Sequence, residues 1–108
     1  MIENSEVSDG VRDRLGAALL AEQGRTQDAI ARLESAAAAH PSVEIYADLA
    51  RLLLSTGDAR RAVEAIDAGL ELEPGSSELA ALSASARMRA VKRAQQKNQF
   101  SVGDIYIY

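Results

Sequence analysis

Cysteine is absent from the 108-residue chain, which removes disulfides, thiolate metal sites and cysteine nucleophiles together. Histidine occurs once, at His40, whereas a metal or acid–base site needs several converging groups. Its place just before Pro41 reads as a surface turn residue. Aromatic residues are scarce too: of four, Phe100, Tyr106 and Tyr108 crowd into the closing stretch FSVGDIYIY. No apolar run approaches the ~20 residues that span a bilayer. The start MIENSEVSDG is acidic and polar, lacking the basic and apolar parts of a secretory signal, so a cytoplasmic location is expected. The 7 glycines are scattered and form no GxGxxG or phosphate-cradling loop. Carboxylate pairs such as Glu71 with Glu73, or Asp9 with Asp13, read as solvated helix faces. No catalytic residue, cofactor or metal is expected, and the chain reads as non-enzymatic.

What is present is a small domain with 47% hydrophobic residues, much of that alanine. Alanine buries little area, so closely packed helices suit this composition better than a bulky core. The net charge of −4 argues against general nucleic-acid binding, and the missing apolar run against a membrane partner. That total hides an asymmetry. Residues 1–86 carry 7 basic and 15 acidic side chains, net −8, whereas residues 87–108 carry 5 and 1, net +4.

A phrase recurs after 33 residues: GRTQDAIARLESAAAAHP, at 24–41, overlays GDARRAVEAIDAGLELEP, at 57–74, without a gap. Gly24 matches Gly57, Ala29 matches Ala62, Ile30 matches Val63, Leu33 matches Ile66, Ala36 matches Gly69 and Pro41 matches Pro74. Each unit reads as a helix hairpin. Gly24 and Gly57 supply the turn, Thr26 and Asp58 are placed to cap the helix that follows, and Pro41 and Pro74 end it. Upstream helices are predicted over about 8–23 and 42–56, the second capped by Ser42. The register carried on from Ser76 gives a closing helix. Small residues recur at matching depth (Ala17, Ala50 and Ser83; Ala29 with Ala36; Ala62 with Gly69), with Leu20, Ile30, Leu33, Leu53, Val63 and Ile66 filling the layers between.

The chain here resembles the tetratricopeptide repeat family, in which a small residue sits in mid-first-helix, a glycine at the turn, alanines in the second helix and a proline at the end. Tyr46, Leu49, Ala50, Leu53, Gly57, Ala62, Gly69 and Pro74 all conform, and the resemblance covers about residues 11–86. It implies an all-α, right-handed superhelical stack: residues 1–8 as a flexible N-terminus, repeats over 9–41 and 42–74, a capping helix over 76–97 within a domain of 9–98, and an extended, strand-like tail at 99–108. The first unit departs from the pattern with Asp13 where a large apolar residue is usual and Gly16 where the second unit has Leu49, so its opening helix should pack loosely. Two units and one helix fall short of the usual three, and self-association would relieve this.

The resemblance also implies that first helices line a concave groove for a protein segment. Carried onto this chain, the lining is Val11, Arg14, Ala18, Ala21 and Glu22; then Glu44, Ala47, Arg51, Leu54 and Ser55; then Ser77, Ala80, Ala84, Arg87 and Met88. Arg14, Arg51 and Arg87 either offer one guanidinium per layer to carboxylates or carbonyls, or pair with Glu22 and Glu44 on a wet surface. The asparagine-containing clamp by which some relatives hold an acidic C-terminus is absent, because Ala18 and Asp48 stand at the matching sites. On the last helix Arg89, Lys92, Arg93 and Lys97 fall within about 140° of one face. That face is either an anion-docking surface or the polar cap of an exposed stack end.

In the tail, Phe100, Val102, Ile105, Tyr106, Ile107 and Tyr108 form the expected interface. Ile105–Tyr108 alternate as a strand would, and a lone strand needs a partner for its hydrogen bonds. The same tail on a second copy, a groove of this or another copy, and an edge strand of another protein are the candidates, and the alternative is an unstructured end. The leading expectation is a scaffold or adaptor that binds a protein segment in its groove and self-associates or anchors through its tail. The alternatives are a regulatory or chaperone-like subunit whose tail is the bound segment, and an anionic-surface binder working through the basic helix.

Overall fold

The computed structural model describes residues 9–89 and residue 91. The N-terminal segment 1–8, the tail 99–108 with all six of its interface residues, and Lys92, Arg93 and Lys97 lie outside the described residues. Within them the chain forms five helices and no strand: α1 (Asp9–Glu22), α2 (Thr26–Ala39), α3 (Val43–Ser55), α4 (Ala59–Leu72) and α5 (residues 77–89). None is long and apolar enough to cross a membrane.

Local chemistry sets the breaks. Gly24 and Gly57 both have positive φ, 82° and 86°, a region that costs any residue with a Cβ. Around each, the same bonds close the helix: Arg25 N–H donates to Leu20 C=O (2.9 Å) and Gly24 N–H to Ala21 C=O (3.0 Å), matched 33 residues on by Asp58 to Leu53 (2.9 Å) and Gly57 to Leu54 (3.1 Å). This is the Schellman pattern, which satisfies carbonyls otherwise orphaned at a helix end. Ser42 caps α3, accepting from Ile45 N–H at 3.2 Å, and Asp58 caps α4, accepting from Arg61 N–H at 3.1 Å. Ser76 caps α5 in the same way, accepting from Leu79 N–H at 3.3 Å.

The expected Thr26 cap does not form. The N-cap position of α2 falls on Arg25, which makes no side-chain cap bond, and Thr26 is already inside the first turn. The 33-residue register explains this, since Asp58 aligns with Arg25 rather than with Thr26.

Helices pack in chain order: α1 on α2, α2 on α3, α3 on α4, with α1 and α3 touching only lightly. The small residues lie where the layers close. Ala29, Ala50 and Ala62 are fully buried, Ala17 and Ala36 nearly so, and Gly69 is buried, while Ser83 is half-buried. A Cβ added to Gly69 would stand 2.7 Å from Leu79 Cδ1 and 3.1 Å from Tyr46 Cβ. That contact seats α5 on the second hairpin. Leu33, Ile45, Leu53, Ile66 and Leu79 are the largest fully buried side chains.

The first hairpin is built differently. α3 buries six residues, α1 only Ala17, and Leu15 and Leu19 stay 63% and 58% exposed. The two departures Asp13 and Gly16 belong together. Arg32 from α2 lies across Gly16, where an added Cβ would collide with its guanidinium, and its Nε reaches Asp13 Oδ1 at 3.3 Å. His40 Nε2 pairs with the other oxygen, Oδ2, at 3.1 Å. Three side chains thus fasten α1 to α2 by polar contacts where the second hairpin uses Tyr46 and Leu49. His40 is therefore half-buried and bonded rather than a plain turn residue.

Candidate functional site

Because α1 and α3 only brush past one another, an open cleft of about 470 Å³ lies between them. Val11, Leu15, Ala18 and Ala21 line it from α1, Asp48, Arg51 and Leu52 from α3, and Leu33 forms part of its floor. Small residues at 17, 18 and 21 leave the space; a larger residue at any of them would narrow it. A second concavity of about 580 Å³ adjoins it, sharing Val11 and Arg14 and bounded by Asp9, His40 and Glu44.

A chain of ion pairs crosses the cleft. Arg14 Nε donates to Asp48 Oδ2 at 2.6 Å, with Nη2 further off at 3.5 Å from Oδ1. Arg51 Nη1 donates to Asp48 Oδ1 at 2.9 Å, and its Nη2 pairs with Glu78 of the α5 layer. One carboxylate therefore holds two guanidiniums from different layers. The hydrogen bond to Asp48 raises the Arg14 pKa above its usual value; burial opposes this, and the negative charges of Asp48 and Glu44 add to the rise. A raised folded value means the stabilisation is complete below the unfolded value and is lost only at higher pH, so the pair persists through the neutral range. Charge-assisted bonds of this kind are the stronger class, yet Arg14 is 39% and Asp48 24% exposed, and solvent screening keeps such pairs near 0–1 kcal/mol. Asp48→Ala is accordingly expected to lower the unfolding free energy by less than about 1 kcal/mol. The same variant should make retention of α-carboxylate peptides newly measurable by titration, since Arg14 loses its internal carboxylate and Arg51 keeps only Glu78.

The structure gives the three groove arginines partners other than those expected. Neither Glu22 nor Glu44 forms an ion pair with them: Arg14 takes Asp48, Arg51 takes Asp48 and Glu78, and Arg87 takes Asp67 at 3.1 Å and Ser83 Oγ at 2.9 Å. Asp48 serves Arg14 from the next repeat and Arg51 from one turn away on α3, Glu78 reaches Arg51 from α5, and Asp67 reaches Arg87 from α4.

Of the remaining lining positions, Ala18, Glu22, Glu44, Ser55, Ser77, Ala80, Ala84 and Met88 are exposed, and Ala21 is half-buried. Ser55 turns its hydroxyl back onto Leu52 C=O at 2.7 Å. Ala47 and Leu54 are core residues, 1% and 8% exposed, because α3 is covered by α2 on one side and α4 on the other. Leu15 and Leu52 line the cleft although the repeat pattern did not mark them, and Leu33, expected as a layer-filling residue, also lines it. Leu15 and Leu19 carried a sequence signal, two leucines four apart beyond the α2-facing side. Arg89, the described member of the basic face, donates through Nη1 to Leu54 C=O at 2.8 Å, tying α5 to the C-terminal end of α3.

No group of three His, Asp or Glu side chains that could hold a metal occurs among the described residues. A search of curated proteins finds no match. A family model described as tetratricopeptide repeat matches residues 20–86, more than half of the chain and most of the 11–86 span of the resemblance, leaving out the greater part of α1. On that match, with the helix order and the paired Gly24 and Gly57 turns, the chain belongs to the tetratricopeptide repeat family.

Proposed function

We propose that the chain is a non-enzymatic scaffold or adaptor of the cytoplasm that holds a protein segment in the α1–α3 cleft. Tetratricopeptide repeats generally mediate protein–protein interaction. The observation that carries the reading is the cleft itself: an apolar trough, floored by small side chains, open along its length and bridged by Arg14, Asp48 and Arg51. In this reading the units curve as a right-handed superhelix with the cleft on the inner side.

The bridge also narrows what would bind. Asp48 already satisfies Arg14 and Arg51, so an acidic segment must displace an internal carboxylate, whereas an apolar segment only covers Val11, Leu15 and Leu52. Covering apolar area contributes about 25 cal/mol per Å² removed from water. The segment favoured is extended and apolar rather than a carboxylate-terminated acidic one.

Ala18→Phe tests this. Ala18 is exposed, so a phenyl ring fills the cleft without entering the core. A partner recovered with the wild type should be lost with Ala18→Phe and kept with Arg60→Ala, an exposed position on α4. Affinity should fall about tenfold or more, equivalent to roughly 1.4 kcal/mol. Equal recovery by both variants would remove the cleft from the binding surface.

A further inference from the structure

We infer that the segment seated in the α1–α3 cleft of the free protein is this chain's own residues 100–108, folded back in cis, so that an external partner must compete with it. The inference rests on the cleft reading above and names the occupant of that site.

Two features of the site match two features of the tail. The cleft walls are apolar at Val11, Leu15 and Leu52, and the last nine residues hold Phe100, Val102, Ile105, Tyr106, Ile107 and Tyr108. The adjoining concavity carries the exposed carboxylates Asp9 and Glu44, while the cleft's cations Arg14 and Arg51 are engaged by Asp48 and Glu78. The stem that precedes the apolar end carries Lys92, Arg93 and Lys97, within a segment, 87–108, of net +4, whereas residues 1–86 are net −8. A basic stem over an acidic rim, with an apolar end in an apolar trough, satisfies both halves at once. An external segment would need the same combination.

Length permits it. Thirteen residues, 92–104, separate Val91 from Ile105 and reach at most about 45 Å when extended. The distance to cover is short, because Glu78 of α5 already pairs with Arg51 of the cleft wall and Arg89 reaches Leu54 C=O at the end of α3. Tethering raises the tail's local concentration to the millimolar range, so a weak match in trans becomes an occupied site in cis.

The absence of native cysteine makes the test direct. Full-length Leu15→Cys/Ile107→Cys, treated with a short bis-maleimide at low concentration, should link within one chain, about tenfold faster than Arg60→Cys/Ile107→Cys, as expected for a tethered partner. Equal rates, no product, or a product only at dimer mass would overturn the proposal, the last assigning the site to a second copy. In a second arm, a fluorescein-labelled peptide NQFSVGDIYIY should bind full-length Ile105→Asp/Ile107→Asp about tenfold more tightly than the wild type, which its own tail blocks. Ala18→Phe added to the aspartate variant should abolish that binding. Equal binding to both, or none to either, sinks the inference. Partner recovery that stays sensitive to Ala18→Phe would then leave the cleft reading standing.

Discussion

Truncating Ile66 to alanine is expected to lower the unfolding free energy by about 2–5 kcal/mol. Ile66 is fully buried in α4, and removing three carbons there loses their transfer energy and leaves a void that closely packed neighbours fill only in part. For a domain whose whole stability is about 5–15 kcal/mol, that is a large share. Its counterpart one repeat earlier, Leu33, supplies an internal comparison. Leu33 is 1% exposed but forms part of the cleft floor, so water can enter the space that Leu33→Ala creates. The Leu33 variant should therefore lose less than the Ile66 variant. Urea unfolding followed by circular dichroism, with midpoints compared at unchanged slope, measures both. A larger loss at Leu33 would mean that the first hairpin, not the second, is the tighter core.

Gly69→Leu should release α5 from the stack. The Cβ alone would press on Leu79 Cδ1 at 2.7 Å and Tyr46 Cβ at 3.1 Å, and Leu79 is itself fully buried, with no open side to move toward. Overpacking of a filled core costs about 1–3 kcal/mol and at times more. Gly69→Ala is the informative intermediate, because it regains about 0.5–1 kcal/mol of helix propensity while its Cβ introduces both of these contacts and nothing beyond them. Alanine should come out near neutral to mildly destabilising, and leucine strongly destabilising. Amide hydrogen exchange would show the leucine variant losing protection across 77–89 first, with α1 and α2 less affected. Uniform loss across all five helices would show instead that the stack unfolds as one unit.

Both effects arise from the same feature, the alternation of short and long side chains down the stack. The first hairpin solves the packing problem by other means. Asp13 and Gly16 look like defects when each is read alone, yet Arg32 needs the space above Gly16 to reach Asp13, and His40 completes the cluster. Leu15 and Leu19 remain exposed on that helix, and Leu15 lines the cleft.

Sequence alone determined the helices, their order and the family. Turn glycines, the Ser42 and Asp58 caps, terminating prolines and small residues repeated every 33 positions act within one helix or between neighbours in the chain, so spacing along the sequence is enough to read them. Ala50 and Ala62, fully buried, stand where that spacing puts them. Tertiary structure decided the rest. That Asp48 joins Arg14 and Arg51, that Arg32 and His40 meet at Asp13, and that Ala47 and Leu54 face inward depends on how far one helix axis lies from another. Those partners stand up to 34 residues apart, and an ångström of separation between rods selects which carboxylate a guanidinium reaches. Sequence periodicity fixes the faces of each helix, and only packing fixes the distance across them.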